Sequence, residues 1–200
     1  VIAYKGFTPE LTSRLGDNDK KNCTFRPGAV MQAKQSKTAR TGYHCCENPF
    51  ECLAYYAWDG QNRFWKVEAE GDIDEDASER IACTKITLIE ELNQTHFVLA
   101  GMKYMIEHPQ RSKWKQNFRN FQVSDEKCEA MEKGHVAIAR GERPMVKGAA
   151  GAIVGMILEK DGEIRAAKCL PLMNGMEKYA GKWITINEEW EVVTIEEKDD

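Results

Sequence analysis

The sequence predicts an α+β fold: a mixed or antiparallel sheet with a few helices, followed by a β-rich C-terminal part. Three observations carry that expectation. Apolar and polar residues alternate over residues 63–70 and 80–89, the mark of half-buried strands. Apolar residues recur at helical spacing over 93–106 and again over 112–123. From Gly134 onward, glycines stand seven residues apart (Gly134, Gly141, Gly148, Gly155, Gly162), with short apolar runs between them. A repeated strand-and-turn unit would give this spacing, and so would chance. The reading is of two domains, a mixed α/β part at 1–122 and a β-rich part at 134–200.

Residues 2–7 read as a strand. The polar, Lys-rich stretch 15–40 reads as loop with one strand near 29–31 and a solvated basic face. Asn48-Pro49-Phe50-Glu51 is a helix start: Asn48 can accept from the first free amides, Pro49 suits the first helical position, and Glu51 stands where a capping acid would. Cys52, Leu53, Tyr56 and Ala57 share one face of that helix, and Asp59-Gly60 stops it. In the next strand Trp65, Val67 and Ala69 face one way and Lys66, Glu68 and Glu70 the other. An acidic connection, 71–78, leads to the strand at 80–89. Val98, Met102, Met105 and Ile106 mark a helix ended by Pro109. Trp114, Phe118 and Phe121 form one stripe of a second helix, 112–123. Asp161-Gly162 is a hairpin turn. Residues 183–186 and 191–195 form a last strand pair, and the acidic tail 196–200 frays.

The net charge of −4 argues against a general polyanion binder while leaving room for a local basic patch. Seven cysteines without regular spacing make a poor disulfide framework, and most sit in apolar runs. With no signal peptide visible and no apolar run near the roughly 20 residues that span a bilayer, a cytoplasmic protein is expected.

Residues 42–56, GYHCCENPFECLAYY, look more like a site than any other segment. His44 precedes the helix start beside two thiols, and a helix N-terminus favours anions. An anion or nucleotide pocket would use His44, Asn48 and Tyr56; in the bland alternative His44 meets a nearby carbonyl and the cysteines pack. His44, Cys45, Cys46 and Cys52 lack the second ligand pair that structural zinc prefers, so no metal is expected. Cys45 with His44 or His135 as base would be a nucleophile without an oxyanion signature. Arg111, Lys113, Lys115 and Arg119 interleave with Trp114, Phe118 and Phe121. That pattern suits single-stranded nucleic acid or a protein partner, or else a core stripe with a wet cationic face. The glycines at 148, 151 and 155 make no phosphate loop.

The segment 42–56 resembles a family of phage- and prophage-encoded proteins of unknown function that share a pattern close to G-[FY]-H-x-C-E-N-P-x-[DE]-C-L-x-Y-Y. The resemblance extends to residues 3–7, 64–73, 85–92, 136–151 and the final strands. It implies a phage or mobile-element setting and supplies no activity. A fainter likeness joins the strand at Tyr4-Lys5-Gly6, the 42–56 segment and the strand after it to ADP-ribosyltransferase-like folds. That likeness implies NAD as cofactor, with Tyr4, Lys5, His44 and Tyr56 around the nucleotide and Glu79 as the catalytic acid, His44 beside it. Lys5 stands where such folds usually carry His or Arg.

The leading expectation is an accessory protein that binds a host protein or nucleoprotein, as a counter-defence inhibitor would, through Arg111, Lys113, Trp114, Lys115 and Arg119. The alternatives are an NAD-binding transferase-like domain, active or degenerate, and a virion or assembly component built on the β-rich part.

Overall fold

A computed structural model describes residues 1–13, 23–75, 80–110 and 114–196. Strands hold 52% and helices 13% of the structure, so the fold is β-rich and the α+β expectation is corrected. Two of the expected helices account for the difference. The one starting at Pro49 is a short 3-10 helix, Pro49–Ala54. The one expected at 112–123 is replaced, over its described residues, by a β-hairpin.

The described residues form two compact units, Val1–Phe97 and Val98–Asp200. In the first, β1 (Ile2–Phe7), β2 (Val30–Gln32), β3 (Tyr43–Cys46), β4 (Arg63–Glu75) and β5 (Arg80–Leu92) make one sheet. Its order is β2-β5-β3-β1-β4, and β4 also pairs with β5. The sheet therefore closes into a ring of β1, β3, β5 and β4, with β2 laid against β5. Alternation puts Ala3, Phe7, Cys45, Trp65, Val67, Ala69, Ile81 and Cys83 into one interior cluster with Ile86 and Leu88. The expected alternation over 63–70 is met, and the strand runs on to Glu75 instead of ending at Glu70. The acidic connection thus shrinks, with 76–79 outside the described residues.

The outer side of the ring carries an aromatic layer. Phe97 stands 4.4 Å from Phe64, 5.4 Å from Trp58 and 5.9 Å from Phe50, ring to ring. Gly6 lets the 3-10 segment come close: a Cβ there would lie 2.4 Å from the Tyr56 ring. Residues Phe50, Cys52, Leu53 and Tyr56 are buried, whereas Ala57 is exposed.

The helix α1 (Gln94–Glu107) starts where Asn93 accepts from the His96 amide, 2.9 Å, and buries Phe97, Val98, Met102 and Met105. In the second unit β6 (Gln116–Phe118) and β7 (Phe121–Ala130) form the hairpin that stands where a helix was expected. Phe118 is exposed and Phe121 fully buried, so the two do not share a stripe. The deciding contacts are distant in sequence: β7 pairs in parallel with β8 (Val136–Gly148), Phe121 opposite Val136 and Cys128 opposite Val146. β8 in turn pairs in parallel with β9 (Ile153–Lys160). Parallel neighbours usually need a crossover of a dozen residues or more. Here the links are only 131–135 and 149–152, and β8 bends out of the β7 ladder at 141–144, between Arg140 opposite Asp125 and Met145 opposite Lys127. Its first half lies between β7 and β9, its second beside β11 (Trp183–Ile186). The Glu126 carboxylate holds the bend, accepting from the Glu142 and Arg143 amides at 2.9 Å each.

β10 (Glu163–Pro171) pairs with β9 across Asp161-Gly162, both at positive φ as the expected hairpin turn requires. β12 (Val192–Ile195) completes the last pair with β11. The seven-residue glycine spacing is not a structural repeat. Gly162 turns a hairpin and Gly141 sits at the bend, whereas Gly148 and Gly155 lie within strands against Leu172 and Met102. The expected tail at 197–200 lies outside the described residues.

A Cβ at Gly148 would meet Leu172 Cδ1 at 2.7 Å and Val154 Cγ1 at 2.8 Å. Gly148→Ala is expected to cost about 1–3 kcal/mol by overpacking, read as a lower urea midpoint. An unchanged midpoint would contradict this packing.

Candidate functional site

β1 and β3 meet at a single register pair, Tyr4 opposite Cys46, and then diverge. A cavity of about 450 Å³ opens at this seam. Its walls come from β1 (Tyr4, Lys5, Gly6), β3 (His44, Cys45, Cys46), the segment leading into β3 (Ala39 to Gly42), and the 3-10 segment with its end (Cys52, Tyr55, Tyr56). Ser13 and Arg80 complete them.

Lys5 is the unusual member. It lies on the interior face of the ring between Ala3 and Phe7 and is only 6% exposed. Its Nζ donates to the His44 carbonyl at 2.7 Å and stands 5.4 Å and 5.6 Å from the Phe7 and Phe25 ring centroids. No carboxylate pairs with it among the described residues, although buried charges are ordinarily paired. The His44 side chain leaves the other face of β3, and its buried Nε2 has no hydrogen-bond partner. Burial, then the charge of Lys5, pushes His44 below its ordinary value of 6.5, and Arg80 adds to this. Arg80 donates to the Tyr55 hydroxyl at 3.2 Å, and the Tyr56 hydroxyl lies 3.4 Å from Ser13 Oγ.

The wall before β3 is tied down. Ser36 Oγ donates to the Asp72 carbonyl oxygen at 2.8 Å. The Asp74 carboxylate accepts from both the amide and the hydroxyl of Thr38, at 2.6 and 2.7 Å.

Tyr4, Lys5, His44 and Tyr56, picked from the sequence around a nucleotide, thus line one cavity. Asn48 does not line it. That residue is 1% exposed and its Oδ1 accepts from the Phe50 amide at 3.0 Å, so it caps the 3-10 segment. The long helix N-terminus expected to draw an anion is absent, and the charge comes from side chains instead. Glu79 lies outside the described residues. Arg40, Thr41, Tyr55, Arg80 and Ser13 were not singled out from sequence. Tyr55 adjoins Tyr56 within the motif and Arg80 adjoins Glu79, the signals that could have found them.

Hydrogen bonding to Cys83 and burial push the Cys45 thiol well up, and hydrogen bonding to Cys46 and burial do the same for Cys52. These are poor nucleophiles. No metal-holding group of His, Cys, Asp or Glu is present among the described residues. On the second unit Arg111 and Lys113 lie outside the described residues. Lys115 pairs with Asp125, and Arg119 stands 3.6 Å from Glu132. Trp114 lies under the Arg140 guanidinium, 5.3 Å away. No described helix is long and apolar enough to cross a membrane.

The first unit is thus a small closed-sheet domain with a cation-lined pocket at its seam. The chain belongs to the DUF7666 family, a domain of unknown function whose model matches residues 1–100. No curated protein and no solved structure matches the chain.

The depressed His44 sets a pH window. The unfolded chain takes up this proton near pH 6.5, the folded chain only at lower pH. Between those values the unfolded state binds more protons, so stability is complete above pH 6.5 and is lost as pH falls below it. Melting temperature should fall on acidification from pH 7 to pH 5, and His44→Gln should flatten that slope. An equal slope in the variant would remove His44 as its source.

Proposed function

We propose that the first unit binds a small organic anion of the nucleotide class. The lining carries the reading: Lys5, Arg40 and Arg80 surround one cavity, and no Asp or Glu lines it among the described residues, in a chain of net charge −4. Like charges gathered against the sign of the whole molecule raise the local concentration of an oppositely charged ligand. The phenol rings of Tyr4, Tyr55 and Tyr56 supply flat apolar surface beside the cations, the mixture that small-molecule pockets use. The resemblance to ADP-ribosyltransferase-like folds puts NAD among the nucleotides to be tried. Transfer chemistry would add an acid from Glu79, outside the described residues, so the proposal is confined to binding.

The expectation of a host macromolecule gripped through 111–119 takes second place. The described cations of that segment, Lys115 and Arg119, already face carboxylates of their own chain. The phage or mobile-element setting drawn from the motif suits either reading.

A thermal-shift series at fixed ionic strength tests the proposal. A ligand at 100 times its Kd stabilises by about 2.7 kcal/mol, a readable shift. Millimolar nucleotides should raise the melting temperature of the protein and leave that of Lys5→Met unchanged. If nucleotides and inorganic anions all leave the native protein unmoved, the pocket is not an anion site.

A further inference from the structure

Lys5 has three N–H donors, and His44 O takes one of them. Lys5 makes no other hydrogen bond among the described residues, so two donors remain at a buried point of the cavity. Buried donors ordinarily find acceptors. The unpartnered His44 Nε2 lines the same cavity and supplies another donor in its Nε2–H tautomer. Arg80 adds a guanidinium held by the Tyr55 hydroxyl, and Arg40 stands exposed at the rim.

We infer that the seam pocket takes the terminal phosphomonoester of a nucleoside 5′-monophosphate, its phosphate held by Lys5 at the gap between β1 and β3 and its base against the tyrosines. This rests on the anion-binding reading and narrows it. A monoester brings close to two negative charges and three terminal oxygens to one point, as the two unspent Lys5 donors and His44 require. Each phosphorus of a dinucleotide's pyrophosphate carries a single charge and is flanked by ester and bridging oxygens. In doubly wound α/β folds dinucleotides bind stretched across a crevice between two half-sites. Here there is one cavity of about 450 Å³ without a carboxylate among its described walls. Lys5 is bonded to His44 on one side of the cavity's lining, and Arg80 to the hydroxyl of the half-buried Tyr55.

Calorimetric titration of the full chain with AMP, NAD, adenosine, inorganic phosphate and O-phosphotyrosine tests this. AMP should bind at least tenfold more tightly than each of the other four. Lys5→Met should weaken AMP at least tenfold. Arg40→Ala, at an exposed position, should weaken it severalfold and keeps the test open if Lys5→Met does not fold. NAD binding as tightly as AMP would overturn the monoester and leave the anion reading standing. Adenosine equal to AMP would show that the phosphate is not read, and phosphate equal to AMP that the nucleoside is not. Phosphotyrosine binding more tightly than AMP would reassign the site to phosphorylated side chains. No binding by any of the five would overturn both readings together.

Discussion

The hydrogen bond from Lys5 Nζ to the His44 carbonyl holds the weakest seam of the first unit. β1 and β4 pair over six register positions, and β4 and β5 over ten. β1 and β3 share one. Everything that makes the ring a ring passes through that join. The ammonium substitutes for the ladder that the diverging backbones no longer supply, and it does so from inside an apolar barrel. The bond to the carbonyl takes only one of the donors of the Lys5 side chain. One side chain therefore both closes the sheet and leaves a cation facing the gap its own strand creates.

Closure also explains why the cysteines collect here. A small ring has little interior volume, and Ala3, Ala69, Cys45 and Cys83 are the small residues that fit beside Phe7 and Trp65. The thiols hydrogen-bond to backbone carbonyls across the strands, Cys45 to Ile81 at 3.9 Å and Cys83 to Tyr43 at 3.5 Å. Their density around the pocket follows from space and weak polarity, and hydrogen bonding to Cys83, with burial, pushes the Cys45 thiol up.

Much of the first unit was legible in the sequence because its signals are local. Alternation at Trp65, Val67 and Ala69 gave β4, and Asn48-Pro49 gave the cap, with the Oδ1 bond to Phe50 where expected. Ring closure was not legible, since the pairing of β4 with both β1 and β5 depends on register between distant strands. The segment around Trp114, Phe118 and Phe121 shows the opposite failure. Spacings of four and three residues satisfy a helix, and only the distant parallel pairing with Val136–Gly148 decides for a hairpin. The glycine spacing left a repeat and chance both open, and its equal intervals cover a turn, a bend and two tight contacts. At the site, His44 and Tyr56 stood out through the motif around them, and Lys5 only through the fainter likeness carried by its strand. Ser13 enters only through tertiary placement, which carries no local mark.

The cavity wall before β3 is fixed from outside by Ser36 and Thr38 on Asp72 and Asp74, residues that belong to the far end of the long β4 strand. The strand that closes the ring therefore also fixes the wall of its cavity. If the cavity takes the proposed anion, a wall tied in this way would need little further ordering, which lowers the cost of binding.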